Sequence, residues 1–479
     1  MPVEAQSLDE LAARARFELG CLEYPARDWV TPRFSGETPV YDAVIAGGGQ
    51  NGMAIAFRLM RERVTNICVL EQQPKGGEGP WRNFARMHTL RTPKTVSGPD
   101  LGIPSLSIQA WYLARYGRAA WDKLGKIMRE DWHDYLAWLR ETAGIAVTNG
   151  TQVTDIEPLA GDLLAVHTRT AGGAGRILAR NVVLATGIEG SGRWKVPELI
   201  EAALPKARYA HTAEAIDFAA LAGRQVAVIG GGASAFDNAA TALEAGAESV
   251  DMLVRRPELP KVNPNRWIEF AGFMRHFADL ADAQKWAFMQ TIFAMNQPPP
   301  QDTFERCARF PNFTLHFASP VTEAGMAGGR IRLVTPRDVV AADFLIVGTG
   351  FAVDLADRPE LARILPHIAL WSDCYQPPPG PLNAMMGRYP YLSSAFQFTE
   401  KYPGEAPFLQ RIYNVTYGAQ ISLAGAAGIS QLKFSAERIA LGITRQIFVD
   451  DGDAFLASLR SYDASELDMT PYDAPRRGA

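Results

Sequence analysis

The chain has 479 residues, roughly three times the usual single-domain length, so two or more packed lobes are expected and a lone small binding module is excluded. Hydrophobic residues make up 47% and charged residues 21%, the balance of a globular chain and not of a disordered or collagen-like one. With 48 Lys+Arg against 52 Asp+Glu the net charge is −4, too weak a field to draw in nucleic acid or an anionic membrane.

Residues 1–40 read as a short helix opened by the capping box Ser7-Leu8-Asp9-Glu10, then a proline-rich arm (Pro25, Pro32, Pro39) packed on the fold as an appendage. Acidic residues interrupt the apolar positions near the start, and no segment is long and apolar enough to span a bilayer, so a cytoplasmic protein without a membrane partner is expected. Cys21, Cys68, Cys307 and Cys374 are scattered singly, which fits a reducing compartment and offers neither a metal site nor a dithiol pair.

From Tyr41 the stretch YDAVIAGGGQNGMAIAFRLMRERVTNICVLE reads as strand, glycine turn, amphipathic helix and strand. A second unit of the same order begins at Gln225, QVAVIGGGASAFDNAATALEAGAESVDMLVRR. The segments NVVLATG, ending at Gly187, and DFLIVGTGF, ending at Phe351, read as returns of the chain to a central sheet. Residues 257–312 form a helical insertion rich in large apolar groups (Trp267, Phe270, Phe273, Met274, Trp286, Phe288, Met289). It suits a lid or pocket wall, and equally a hairpin burying its own face or a subunit contact. The expected class is α/β, with two Rossmann-like dinucleotide-binding domains, the second inserted into the first. The divisions are 1–40, a first domain in two parts (41–204 and 346–479, the latter with the C-terminal tail), and a second domain over 205–345.

In the first unit Gly47, Gly49 and Gly52 form G-x-G-x-x-G between strand and helix, with Gln50 and Asn51 inside the motif. The first glycine permits the tight turn, the second lets the backbone approach a pyrophosphate, and the third allows close helix-to-strand packing. Glu71 closes the second strand nineteen residues past Gly52, where a carboxylate accepts hydrogen bonds from ribose hydroxyls. The second unit has Gly230, Gly232 and Ala235, with Ala233 and Ser234 between them, and its second strand ends in Arg255-Arg256 instead of an acid. Guanidinium groups there pair with a 2′-phosphate, which selects NADPH over NADH. Two different dinucleotides in one chain imply a hydride donor and an acceptor, NADPH and FAD.

This arrangement resembles the flavin-dependent monooxygenases of the two-dinucleotide-domain type, over most of residues 41–450. Gly76-Gly77 and Trp81 are similar to the segment that in the family passes beside the flavin. LRTPKTVSGPDLGIP, with Arg91 and Thr92, resembles the segment lining the isoalloxazine ring, although Arg91 stands where flavin-containing monooxygenases usually carry asparagine. Ala185-Thr186-Gly187 and Gly348-Thr349-Gly350-Phe351 resemble the two linker motifs between the FAD and NADPH domains. His211 is a partial match to the family's signature histidine, and Gly232-Ala233-Ser234 with Asp237 resembles its NADPH turn. Tyr413 to Phe434 lies where related enzymes return the chain to the flavin, with Gly425 and Gly428 allowing close approach.

The resemblance implies an FAD- and NADPH-dependent monooxygenase. It would pass one atom of O2 from a C4a-(hydro)peroxyflavin to a small molecule, first of all at nitrogen or sulfur. Carbon hydroxylation of an electron-rich heterocycle such as urate, Baeyer–Villiger oxidation with Arg91 as the catalytic cation, and a non-oxygenating redox sensor or NADPH oxidase stay open, as does homo-oligomerisation. Disulfide reduction is disfavoured for want of a close cysteine pair.

Overall fold

The computed structural model describes residues 5–22, 27–425 and 428–468; Pro25 and the last eleven residues of the tail lie outside them. Two parallel sheets organise the chain. The first has the strand order Ile412–Asn414, Val182–Leu184, Ala43–Ala46, Ile67–Leu70, in register at Asn414↔Leu184, Ala46↔Leu184 and Ala46↔Leu70. Its central strand, AVIA, is buried at all four residues, as a parallel strand covered on both faces requires. Thr148 extends this sheet beside Leu70.

The second sheet has five parallel strands in the order Tyr209–His211, Phe344–Val347, Gln225–Ile229, Ser249–Leu253, Phe313–His316. Phe344–Val347 belongs to it whole, so a division drawn after Val347, not after Leu345, keeps the sheet intact. The chain crosses between the two sheets twice, and the crossings pair with each other: Gly192–Trp194 runs antiparallel to Phe351–Val353.

The N-terminal arm differs from a mere appendage. Arg33–Ser35 and Thr38–Tyr41 form a hairpin at one edge of a five-stranded, mainly antiparallel sheet completed by Gly173–Ala179, Leu163–Thr170 and Gln152–Leu159. Pro39 concealed it in the sequence; on the side facing Gly173–Ala179 only Val40 and Tyr41 are paired, so the missing N–H is tolerated there. The preceding helix, Leu8–Cys21, is capped by Ser7 and buries Leu11 and Ala15 in the main core.

The insertion folds as helices Pro264–Trp267, Ala271–His276, Asp282–Met295 and Gln301–Ala308. Phe273, Phe277, Trp286 and Met289 are buried not only against one another but against Trp371, Met386 and Tyr389 of the C-terminal part, in a cluster that Phe351 and Tyr417 also join. Its last helix places Cys307 in the core of the second sheet. No helix among the described residues is long and apolar enough to cross a membrane.

Candidate functional site

The two glycine turns share one geometry. Gly47 (φ 111°) and Gly230 (φ 124°) adopt a backbone conformation that side chains disfavour, and their amides bond the carbonyls of Leu70 (2.7 Å) and Leu253 (3.1 Å). A Cβ on Gly49 or Gly232 would meet nothing within 4 Å, so each turn presents bare backbone to open space. The helices that follow, Gln50–Arg61 and Ala233–Glu244, have no side-chain cap at their N-termini. Their N–H groups are thus available to a phosphate, with the helix dipole in favour. Both turns fit a dinucleotide's diphosphate.

The strand ends set the two turns apart. Glu71 is buried, its two oxygens accepting from the amides of Gly48 (2.9 Å) and Gln73 (2.8 Å), which holds the carboxylate beside the turn with acceptor capacity to spare. In the second fold the matching position is Val254. Gly48 would place a Cβ against Glu71, and Gly231 would place one against Val254. Arg255 and Arg256 follow one and two residues later; neither has an acidic partner among the described residues, and burial together with Arg255 lowers the pKa of Arg256. An unneutralised cation pair where the carboxylate is absent fits a 2′-phosphate.

A cavity of about 320 Å³ lies beside the first turn, lined by Gly48, Gly49, Met53, Gly76, His133 and Arg140 among others. Arg140 is fixed by Glu78 (2.8 Å) and the Val147 carbonyl (3.0 Å). His133 and Arg140 escaped the sequence reading because they come from a helix, Arg129–Thr142, with no nucleotide signature of its own. Gln50 accepts from the Trp132 indole (3.3 Å), Asn51 donates to the Val415 carbonyl (3.3 Å), and Trp81 packs edge-on against Trp132. The Asn51 amide oxygen and the Thr186 hydroxyl are buried without a hydrogen-bond partner among the described residues, polar groups that a bound flavin would satisfy.

The returning C-terminal segment meets this site. Gly187 (φ 74°) accepts from the Tyr417 amide, and Ser191, Asn414 and Thr416, all fully buried, bond one another beneath it. Thr349 donates to the Lys195 carbonyl, Gly350 accepts from the Lys195 amide (2.9 Å), and Phe351 packs edge-on against Trp194 and Tyr417. His211 lies beneath the crossings, 5.2 Å from Trp194. Its Nδ1 accepts from the Ala213 amide (3.2 Å) and its Nε2 is buried without a hydrogen bond among the described residues. Burial lowers its pKa against the opposing pull of Glu214 and the Gly350 carbonyl.

Arg91 links the two folds. Its guanidinium donates to Asp237 (3.1 Å) on the second fold's helix, and its carbonyl accepts from Arg266 (2.7 Å) of the insertion. Thr92 follows it, half-buried. Asp237 is also bound by Thr303 and Arg306; burial still raises its pKa.

A family model described as pyridine nucleotide-disulphide oxidoreductase matches residues 44–275. A FAD-dependent urate hydroxylase from Xanthomonas campestris pv. campestris is 42% identical over 462 residues, spanning 96% of this chain and 97% of that one. Among solved structures, the ornithine N-hydroxylase of Kutzneria sp. 744 superposes with a TM-score of 0.67 at 18% identity, covering 85% of this chain and 100% of its own. The ornithine hydroxylase of Pseudomonas aeruginosa gives 0.65 at 19%, with 85% and 100% coverage. The chain belongs to the flavin monooxygenases with two dinucleotide-binding folds, a family of oxidoreductases. All four cysteines are free and distant in sequence, so the disulphide-reductase description fits the fold and not a dithiol chemistry here.

Proposed function

We propose that this chain is an FAD- and NADPH-dependent monooxygenase that hydroxylates a carbon of an electron-rich heterocycle of the urate class. One observation carries the substrate class: the 42% identity to a urate hydroxylase runs over 96% of the chain, through both folds and the insertion, whereas the likeness to the ornithine hydroxylases is one of fold. Carbon hydroxylation therefore takes precedence over the nitrogen or sulfur oxygenation expected from the motifs.

FAD would lie on the first turn, in a domain formed by 41–204 and 348–479, and NADPH on the second, in 205–347. When bound, the flavin supplies the redox and oxygen-activating chemistry. The protein's share is placement. Gly47, Gly49 and Gly52 with the uncapped helix behind them hold the diphosphate, Glu71 holds the ribose, and Arg255 and Arg256 select the phosphorylated nicotinamide nucleotide. The insertion's aromatic cluster, joined to Phe351 and Tyr417, keeps water from the place where the crossings meet.

The test is substrate-stimulated turnover of purified, FAD-loaded enzyme. Urate is expected to accelerate NADPH oxidation with one O2 consumed and one hydroxylated product formed per NADPH. Stimulation by amines or sulfides but not urate would return the reading to nitrogen or sulfur. NADPH oxidation that yields only H2O2 with every candidate would leave an oxidase.

A further inference from the structure

A larger cavity, about 700 Å³, lies in the second fold beside the loop that follows its second strand, close to the glycine turn but not lined by it. One wall of each cavity follows the second strand, Lys75 to Glu78 in the first fold and Glu258 to Lys261 in the second. The opposite wall is the helix preceding the third strand, Arg129–Thr142 in one and Gln301–Ala308 in the other. Gly48 lines the smaller cavity; its counterpart Gly231 would place a Cβ 3.3 Å from Leu259, which lines the larger. On the reading that the second fold carries NADPH, this is the cavity for the adenosine-phosphate end, and its size suits a nucleotide.

The two cavities differ in who builds them. The smaller is lined wholly from residues 48–140, all of the first fold. The larger includes Arg91 and Lys126, which also belong to the first fold. They are neighbours because the Leu90 amide bonds the Ile127 carbonyl (2.8 Å) and Thr89 bridges to Met128. Both side chains reach across to the second fold, Lys126 to Asp302 (3.0 Å) and Arg91 to Asp237 (3.1 Å), and the Arg91 Nε is buried without a hydrogen-bond partner among the described residues. With Lys261 and Arg266 they put four cations in the lining, each paired with a carboxylate, Arg91 with Asp237, Lys126 with Asp302, Lys261 with Glu258 and Arg266 with Glu269, and guanidinium and ammonium groups so held keep further N–H donors for phosphate oxygens.

We propose that Arg91 and Lys126 are nucleotide-binding residues that the FAD domain lends to the NADPH site, and that Arg91 serves NADPH and not the oxygen-transfer step. The nicotinamide nucleotide then bridges the two domains, and its affinity reports whether they are docked.

Titration calorimetry of FAD-loaded enzyme with NADP+ and NAD+ tests this. Arg91→Gln and Lys126→Gln are each expected to weaken NADP+ about tenfold and NAD+ less. FAD content and product formed per NADPH at saturating nucleotide stay at wild-type values, and Arg91→Lys recovers part of the affinity. Lys126→Gln carries the test by itself should Arg91→Gln fail to fold. Unchanged NADP+ affinity in the variants overturns the proposal, as does an Arg91→Gln enzyme that binds NADP+ normally but releases H2O2 in place of product. A wild-type enzyme that binds neither nucleotide overturns the NADPH reading and this assignment together; a wild type that binds NADP+ beside indifferent variants overturns only the assignment.

Discussion

In the first glycine turn the helix contributes Gly52 and the crossing strand Ala185; in the second the helix contributes Ala235 and the strand Gly348. A Cβ on Gly52 would lie 1.8 Å from the Gly47 carbonyl oxygen, and one on Gly348 would lie 2.6 Å from the Ala235 methyl. In the first turn the third motif position faces the Gly47 carbonyl and leaves no room for a methyl, whereas in the second the Ala235 methyl has room because Gly348 beside it carries none. The pair exchanges which partner is small, and both turns keep the same path.

That comparison predicts selective breakage, with the largest effects first. Gly52→Ala forces an overlap costing on the order of 3 kcal/mol and should yield protein without flavin. Gly348→Ala should yield protein that keeps its flavin but loses NADP+ binding. Flavin absorbance per polypeptide and nucleotide titration read both, and loss of both ligands in both variants would show that the folds are not separable.

The strand ends come next. Val254→Asp puts a carboxylate where the first fold has one and should raise the NADPH KM roughly a hundredfold through repulsion of the 2′-phosphate, leaving NADH little affected. Neutralising Arg255 and Arg256 together should cost about tenfold to a hundredfold for NADPH alone. Equal losses for both nucleotides would remove the assigned difference between the folds.

The smallest effect concerns matching ends of the outer strands, where Asn414 pairs with Leu184 in the first sheet and His211 with Val347 in the second. Asn414 is hydrogen-bonded and cannot titrate in this range. His211 is buried, and its folded-state pKa is lowered from 6.5. The unfolded chain therefore takes up this proton at a higher pH than the folded one. The stability that neutral His211 allows is complete above about pH 6.5 and declines as pH falls through that value. Melting curves of wild type and His211→Asn between about pH 8 and 5.5 check this: the wild type should lose more of its Tm on acidification.

Much of this was legible in the sequence because it is local. A strand, a turn with fixed glycines and a helix are specified within some thirty residues, and both units stand where the pattern puts them. The equivalence of Glu71 and Val254 is legible too, since each follows the first glycine of its turn by 24 positions. What the sequence did not disclose is long-range. The reach of Arg91 to Asp237, the wall made by His133 and Arg140, and the hairpin joined to Gly173–Ala179 all depend on segments that carry no shared local pattern.

The antiparallel pairing of Gly192–Trp194 with Phe351–Val353 means that the polypeptide leaves the first fold and rejoins it at one doorway. The second fold is thus a cassette whose ends already touch, and exchanging it for that of a relative would leave the path of the first fold unchanged. Any swing of that cassette must carry both strands of the ribbon together and break the Arg91–Asp237 and Lys126–Asp302 pairs.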